Sequence, residues 1–427
     1  MDFRALPSGD LTLDNLTAPG WLTGAAGDLA RIRLTLKSGR IAAPDPDQNP
    51  GLPVVDMAGA MVFPGFIDMH THLDKGHIWP RAANPDGSFM GALTTVERDR
   101  MANWSAADVR ARMDFALRCA WAHGTVAIRT HLDAIPPQDG ISFPVFAELR
   151  DAWRGRIELQ AACLTSIDRI APDGTGGFNA TADIVRNHGG VLGCVSYPMP
   201  DLRHRLRAFF DHAARRGLAC DLHVDETGDP TVATLRDIAQ IVLETGFAAP
   251  VTVGHCCSLA VQPSAEALHT LDLVARAGLS VVSLPMCNLY LQDRQMDRTP
   301  RWRGVTLVHE MAQRGINVSF ASDNTRDPFY AYGDLDMIEV MREATRIAHL
   351  DHSRPDWSRA FLANPAQATG LAAPSLAPGA PADLVICRAR TWSELFARPQ
   401  SDRIVLRAGR QIDRRLPDYA ELDQLMG

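Results

Sequence analysis

Lysine is scarce in this 427-residue chain, which contains only Lys37 and Lys75. No apolar run approaches the ~20 residues that a membrane-spanning helix needs, and the N-terminus lacks the basic start and apolar core of a signal peptide. The eight cysteines form no Cys-x-x-Cys pair and stand mostly in apolar, strand-like runs. We therefore expect a cytoplasmic protein whose cysteines are reduced and buried.

The chain also lacks an excess of basic residues, because 43 Lys and Arg stand against 50 Asp and Glu, which gives a net charge of −7. Phosphate recognition needs a clustered basic face, so we expect neither a nucleic acid nor a membrane as a partner. Hydrophobic residues make up 46% of the chain and charged residues 22%, a balance typical of soluble globular proteins.

Short strands are predicted near both chain ends. Residues 28–41 alternate apolar and polar side chains and contain Ser38-Gly39, which predicts a β-hairpin. Residues 382–386 and 403–412 give the same kind of signal near the other end. We expect one small β-sandwich domain built from residues 1–62 and 371–427, with a larger domain over residues 63–370.

The middle of the chain alternates buried-strand runs with helical patterns, which is typical of an α/β fold. Eight such units over about 300 residues predict a (β/α)₈ TIM barrel. An open doubly wound sheet is the rival architecture, but its Gly-x-Gly-x-x-Gly phosphate loop is missing. The predicted strands are 61–70, 125–131, 157–164, 191–197, 219–224, 251–255, 280–284 and 317–321.

Polar side chains follow several of these strands at their carboxyl ends, where TIM barrels carry their chemistry. Imidazoles with a carboxylate are donors that zinc and ferrous iron accept, and in an extended segment His70 and His72 point to the same side. The pattern therefore indicates a metal site. The strand-end groups are His70-Thr71-His72, Arg129 to Asp133, His223-Val224-Asp225-Glu226, His255 and Ser322-Asp323-Asn324.

The segment Phe63–His72 resembles the opening motif of the amidohydrolase superfamily. Together with residues 223–226, 254–255 and 322–323 it is similar to the cytosine deaminase branch, over residues 28 to 412 or so. This resemblance implies a divalent metal, Zn²⁺ or Fe²⁺, held by His70, His72, His223 and Asp323. It also implies that Glu226 is the general acid/base and that His255 helps to activate the water.

The implied chemistry is hydrolytic. A divalent ion lowers the pKa of its water enough to give metal-bound hydroxide at neutral pH, and Asp323 can take the proton while His255 orients the nucleophile. Glu226 can protonate the ring nitrogen beside the attacked carbon, so that ammonia leaves. For Glu226 a solvated loop carboxylate, or a partner to a ligand histidine, is the alternative interpretation.

Lysine scarcity favours one metal. Relatives of the dihydroorotase, hydantoinase and urease kind bridge two metals with a carboxylated lysine on strand four. Residues 191–197 stand there in this chain and contain no lysine, while Lys37 belongs to the terminal β domain. We therefore expect no lysine-bridged binuclear site.

The resemblance to cytosine deaminases is weaker at the residues that are expected to contact the substrate. Ser166 stands near the glutamine that contacts the pyrimidine in cytosine deaminases, and Asn324 replaces a second aspartate. Phe329 stands where the family has a stacking aromatic. Lys75 is a candidate contact to a substrate oxygen or a partner of Asp74. The patterns at 70–75 and 322–327 also resemble isopropylammelide amidohydrolases. His131 and Asp133 are expected to support the ligands, and residues 286–288 to line the pocket.

These features predict an enzyme that removes ammonia from cytosine or a related amino-pyrimidine. The alternative is a triazine or N-alkylamine aminohydrolase of the isopropylammelide type. A second alternative is a non-catalytic metal-binding protein on the same fold. The expected partner is a small aminoheterocycle, and self-association into a homo-oligomer is common among such barrels.

Overall fold

The computed structural model describes residues 3, 5–43, 51–400 and 402–427, which form sixteen strands and thirteen α-helices. The predicted segment 1–62 includes residues 1, 2, 4 and 44–50, which lie outside the described ones. The strands are β1 Leu11–Pro19, β2 Leu29–Lys37, β3 Arg40–Ile41, β4 Val54–Asp56, β5 Met61–Pro64, β6 Phe66–Thr71, β7 Thr125–Asp133, β8 Glu158–Leu164, β9 Val195–Ser196, β10 Cys220–Val224, β11 Val251–His255, β12 Ser280–Ser283, β13 Val318–Phe320, β14 Leu384–Cys387, β15 Ile404–Arg407 and β16 Arg410–Gln411. The helices are α1 Phe89–Asn103, α2 Ala106–His123, α3 Asp139–Ala152, α4 Phe178–Asn187, α5 Leu202–Arg216, α6 Thr234–Thr245, α7 Ser264–Arg276, α8 Pro285–Leu291, α9 Val308–Gln313, α10 Met337–Ala348, α11 Ala363–Thr369, α12 Trp392–Ala397 and α13 Asp423–Met426.

The chain divides into two compact units. The first contains residues 1–67, 118–127 and 336–417, and the second contains residues 68–117, 128–335 and 418–427. These divisions differ from the predicted bounds of 62 and 370. The last ten residues belong to the second unit, where the Arg81 guanidinium donates to the Leu425 carbonyl over 2.8 Å.

Both chain ends contribute to one sheet in the first unit, with the order β16-β15-β14-β5-β1-β2-β3 and β4 paired to β1. The predicted hairpin is confirmed, because β2 and β3 pair antiparallel across Ser38-Gly39. Residues two apart, Leu11 and Leu13 in β1 and Leu34 and Leu36 in β2, pack inward as the period of two requires, and the register of the pair shifts beyond Leu13. The resulting core includes Leu11, Leu13, Leu34, Leu36, Ile386 and Leu406.

The predicted strand 61–70 is wrong in one respect, because two strands occupy it and divide at Gly65. Gly65 donates its N–H to the Asp383 carbonyl over 2.9 Å, whereas Phe66 donates to the Gly124 carbonyl over 3.1 Å. A Cβ at position 65 would lie 2.2 Å from a methyl carbon of Val126, so only glycine fits this crossing. β5 thus joins the terminal sheet and β6 a different one.

Two further sheets contain parallel strands of the α/β pattern, in the orders β6-β7-β8 and β13-β12-β11-β10-β9. Parallel bridges connect them, at Thr71 to Asp323 on one side and at Ala162 to Val191 and Ser166 to Val195 on the other. The helix α5 ends at Gly217, whose φ of +65° is costly for a residue with a Cβ. The predicted strand 191–197 is shortened to Val195–Ser196.

All eight cysteines are buried and unpaired with one another. Within the described residues, no helix is both long enough and apolar enough to cross a bilayer.

The first unit contains a buried ion pair that gives a stability prediction. The Arg403 guanidinium makes two hydrogen bonds to the Asp336 carboxylate, one of them 2.6 Å long. Burial alone would raise the pKa of Asp336, but Arg403, His123 and the hydrogen bond from the Ile338 N–H together hold that pKa below its usual range. The ion pair therefore adds to the free energy of unfolding at neutral pH, and this stabilisation is lost as the pH falls below about 4.

We predict that Arg403→Met lowers the free energy of unfolding by about 3–5 kcal/mol at pH 7, because it leaves a buried carboxylate without its partner. Urea denaturation measures the shift. Arg390→Met, which removes an exposed pair with Glu394, is the matched control and should shift the midpoint far less. Equal shifts in the two variants, or a deficit in Arg403→Met that grows as the pH falls below 4, would contradict this assignment.

Candidate active site

Five of the predicted residues lie at the carboxyl ends of parallel strands. His70 belongs to β6, His223 to β10 and His255 ends β11, while His72 and Asp323 follow β6 and β13. Asp323 donates its N–H to the His70 carbonyl over 2.9 Å, which holds the end of β13 against β6. The side chains of all five are therefore gathered at one edge.

The backbone is strained at two of these positions. His255 has a φ of +67° and Asp323 a φ of +64°, both in the left-handed region. Such a conformation costs a residue with a Cβ about 1–2 kcal/mol. Strain of this kind is concentrated at functional sites, where the surrounding structure holds it in place.

Three imidazole nitrogens and one carboxylate oxygen meet at this edge. His70 Nε2 lies 3.2 Å from His223 Nε2 and 3.6 Å from Asp323 Oδ1. His72 Nε2 lies 3.4 Å from His223 Nε2 and 3.2 Å from Asp323 Oδ1. The sequence-predicted ligand set is thus brought together within a few ångströms.

These separations fit a metal ion. With bonds of about 2.0–2.1 Å, two ligands of a tetrahedral ion lie about 3.3 Å apart, which is close to the four distances above. Burial lowers the pKa of His70, His72 and His223 far below the usual range, so the three rings are neutral and can offer lone pairs. The donor chemistry therefore fits one divalent cation.

Packing contacts surround the imidazole rings of the donor cluster. The His131 ring centroid lies 4.0 Å from that of His70, and the donor atoms of His70, His131 and His223 fall within 4.8 Å of one another. Gly254 leaves room for the His70 ring, since a Cβ there would lie 3.1 Å from its Cε1. His131 therefore stands against the donor cluster, as a support or as an additional nitrogen ligand.

Glu226 stands beside this cluster and is largely buried, with its side chain 14% exposed. Its Oε1 lies 3.3 Å from His255 Nδ1 and accepts a hydrogen bond from Asn288 Nδ2 over 3.2 Å. The alternative of a solvated loop carboxylate is therefore wrong, because Glu226 is not free in solvent.

Burial shifts the acids of the site. It raises the pKa of Glu226 well above the usual range, with a further rise from Asp323, and raises that of Asp323 to about 7. A divalent cation among the donors would lower both again, because a positive charge favours the ionised forms. The protonation of both carboxyl groups is thus set by burial and by the charges that face them.

Lys75 is buried and faces Asp133, not its neighbour Asp74. Lys75 Nζ lies 3.3 Å from Asp133 Oδ1, and Arg100 donates to Asp133 Oδ2 over 2.8 Å. Asp74 instead accepts from the Asp133 N–H over 2.9 Å. The predicted Lys75–Asp74 pairing is therefore not formed, since Asp133 holds the ammonium group.

One cavity of about 380 Å³ connects the cluster with the remaining predicted residues. Ser166, Asn324, Phe329 and Lys75 all line it. Lys75 Nζ lies 5.1 Å from the centre of the Phe329 ring, and Ser166 Oγ lies 2.9 Å from the Tyr197 hydroxyl. The other lining residues include His72, His223, Glu226, His255, Phe89, Leu93, Val96 and Arg100.

Sequence reasoning missed the contribution of α1. Phe89, Leu93, Val96 and Arg100 line the cavity at helical spacing, so one face of α1 forms a wall. The signal available in the sequence was this apolar spacing, but nothing in it shows which helix covers the strand ends.

Comparisons with known proteins agree with this geometry. The family model described as "Amidohydrolase family" matches residues 53–136 and 180–413. A pterin deaminase from Rhizobium rhizogenes is 58% identical over 373 residues, covering 87% of this chain and 85% of that protein.

Solved structures are similar over nearly the whole chain. A 5-methylcytosine deaminase from Klebsiella pneumoniae, liganded with 5-fluorocytosine, matches with a TM-score of 0.78 and 23% identity, covering 96% of this chain and 98% of that one. An N-isopropylammelide isopropylaminohydrolase from Burkholderia multivorans matches with a TM-score of 0.74 and 25% identity, covering 94% and 98%. The fold is therefore of the TIM-barrel-like α/β kind.

We predict that the purified protein contains about one equivalent of a divalent metal and that His223→Ala loses most of it. Removing one of four donors weakens binding because the remaining three no longer enclose the ion. Elemental analysis after dialysis measures the ratio of metal to protein. His212→Ala, which removes a buried histidine of α5, is the control and should keep its metal. Metal retained in His223→Ala would exclude His223 as a ligand.

Proposed function

The chain belongs to the amidohydrolase family, and we propose that it is a mononuclear metal-dependent aminohydrolase that removes ammonia from a pterin. The observation that carries the deaminase assignment is the position of Glu226 beside the four-donor cluster, on the wall of the same cavity. The pterin assignment is supported by the 58% identity to a pterin deaminase. A pterin contains an amino-pyrimidine ring fused to a second ring, so it belongs to the substrate class that the sequence predicts.

The proposal includes the finer architecture. We propose that the parallel strands from β6 to β13 close into a complete (β/α)₈ barrel, and that the terminal sheet, which includes β5, forms a small β-sandwich domain. The parallel bridges at Thr71 to Asp323 and at Ser166 to Val195 support closure of the barrel.

His70, His72, His223 and Asp323 would hold the metal, zinc or ferrous iron. When bound, a divalent ion supplies a water whose pKa falls from about 16 to about 7. Asp323 offers one oxygen to the ligand set and keeps the other for the proton that the attacking water loses. Burial, which raises the pKa of Asp323, supports this use of the carboxyl group.

Glu226 acts as the general acid. Burial and the neighbouring Asp323 raise its pKa, which favours the protonated form needed to donate to a ring nitrogen. As water adds to the carbon that bears the amino group, Glu226 protonates the adjacent ring nitrogen. The proton taken from water then passes to the amino nitrogen, the carbon–nitrogen bond breaks and ammonia leaves. The added hydroxyl group becomes the ring carbonyl by giving its proton to Glu226, which restores the acid.

The cavity supports a flat heterocycle. Phe329, Leu93 and Val96 provide apolar walls, and we propose that Phe329 stacks on the ring. Ser166, Asn324 and Lys75 supply the polar contacts to ring oxygen and nitrogen atoms. A volume of about 380 Å³ falls in the range of small-molecule sites and leaves space for a second fused ring.

We predict that protein of measured metal content releases ammonia from pterin, and that Glu226→Gln keeps its metal but loses about 10²–10⁴-fold in kcat. The amide has nearly the same shape as the acid but cannot donate the catalytic proton. An assay of the released amine, ammonia or isopropylamine, over pterin, cytosine and N-isopropylammelide measures the substrate range.

Release from cytosine alone would replace the pterin assignment with the pyrimidine one, and isopropylamine from the triazine would favour the alkylamine alternative. Hydrolysis of none of these compounds would favour the alternative of a non-catalytic metal-binding protein. Full activity in Glu226→Gln would remove Glu226 from the mechanism.

A further inference from the structure

Asn288 connects the two groups that flank the donor cluster. It lies in α8, one turn after β12, and its side chain is fully buried. Its Nδ2 lies 3.2 Å from Glu226 Oε1 and 3.0 Å from His255 Nδ1. One amide nitrogen therefore contacts both residues.

The hydrogens of the amide determine which His255 nitrogen carries the proton. An amide nitrogen has two hydrogens and no available lone pair, so it can only donate. One hydrogen goes to Glu226 Oε1, and the other points to His255 Nδ1, which must then accept. A neutral imidazole that accepts at Nδ1 carries its proton on Nε2.

Turning the amide over is disfavoured by Glu226. With the acid proton of Glu226 on Oε2, the oxygen of a turned Asn288 amide would face a lone pair of Oε1 at about the distance over which Nδ2 now donates. A proton on His255 Nδ1 could instead reach Glu226 Oε1, 3.3 Å away. That arrangement would bring this hydrogen against the amide N–H groups only 3.0 Å away.

The backbone of Asn288 is held in place by α8. Pro285 begins α8, and the Asn288 N–H donates to the Leu284 carbonyl over 3.0 Å. The Asn288 carbonyl in turn accepts from the Gln292 N–H over 2.9 Å. The amide is thus presented from a backbone that is hydrogen-bonded on both sides.

We propose that Asn288 is a positioning residue that fixes His255 as its Nε2–H tautomer and orients Glu226 toward the same substrate atom. This rests on the proposed function. His255 then points a hydrogen-bond donor at the reacting oxygen and takes no proton from it. Consistent with this, His255 Nε2 is buried with no partner among the described residues. Asp323 is left as the group that accepts the proton.

Two variants and a control test this proposal in the metal-loaded protein. Asn288→Asp keeps the size of the side chain but offers only acceptors, so it should draw a proton to His255 Nδ1 and reverse the tautomer. Asn288→Ala removes the donor and should leave a mixture. Gln292→Ala is the control, since this residue directly after α8 donates its side-chain amide to the Glu226 backbone carbonyl over 3.3 Å, and the variant keeps the backbone N–H that Asn288 accepts.

Long-range ¹H–¹⁵N correlation spectra of histidine-labelled protein report the tautomer, with His255 assigned from the loss of its signals in His255→Gln. We expect Nε2–H in the wild type and in Gln292→Ala, and Nδ1–H in Asn288→Asp. With pterin as the probe, both Asn288 variants should lose about 10²–10⁴-fold in kcat with KM changed less than threefold. Gln292→Ala should stay within threefold of the wild-type kcat.

An unchanged tautomer in Asn288→Asp, or a wild-type His255 protonated on Nδ1, would overturn the proposal. So would an Asn288→Ala variant with wild-type kcat. If the wild type fails to hydrolyse pterin, the proposed function falls, but the spectra still decide the tautomer, so the two failures are distinguishable.

Discussion

The crowding of imidazole and carboxylate groups at the carboxyl ends of parallel strands is the constraint on which the rest of the site depends. Four of the separations among the donor atoms of His70, His72, His223 and Asp323 are 3.2 to 3.6 Å, and Asp323 is buried among them. A carboxylate taken out of water without a partner is costly, and neutral imidazoles cannot balance its charge. A divalent cation between them would provide that balance.

Further charged and polar side chains surround the donor cluster. On one side Glu226 and His255 meet at Asn288, so that an acid and a donor face the same space. On another, Asp133 lies between Lys75 and Arg100, which fixes a positive charge at the cavity without leaving it unpaired. Because Lys75 and Arg100 are both paired with Asp133, these buried charges are held in one geometry before the substrate binds.

The sequence predicts the strand-end residues well, because the period of two and the ends of apolar runs are local features. β11 has the bounds that its pattern predicts. The division at Gly65 was missed, since it depends on a distant Val126 that leaves no room for a side chain. The contact of Arg100 with Asp133 and that of Asn288 with His255 were missed for the same reason: each side chain comes from a helix whose placement over the strand ends is tertiary. Substrate identity is harder still, because it depends on a few contacts among many lining residues.

The most direct test of the central claim is anomalous diffraction at the absorption edge of the bound metal. One peak within about 2.0–2.2 Å of His70 Nε2, His72 Nε2, His223 Nε2 and Asp323 Oδ1 is the predicted result. Two peaks, or a single peak coordinated elsewhere than by these four side chains, would contradict the account.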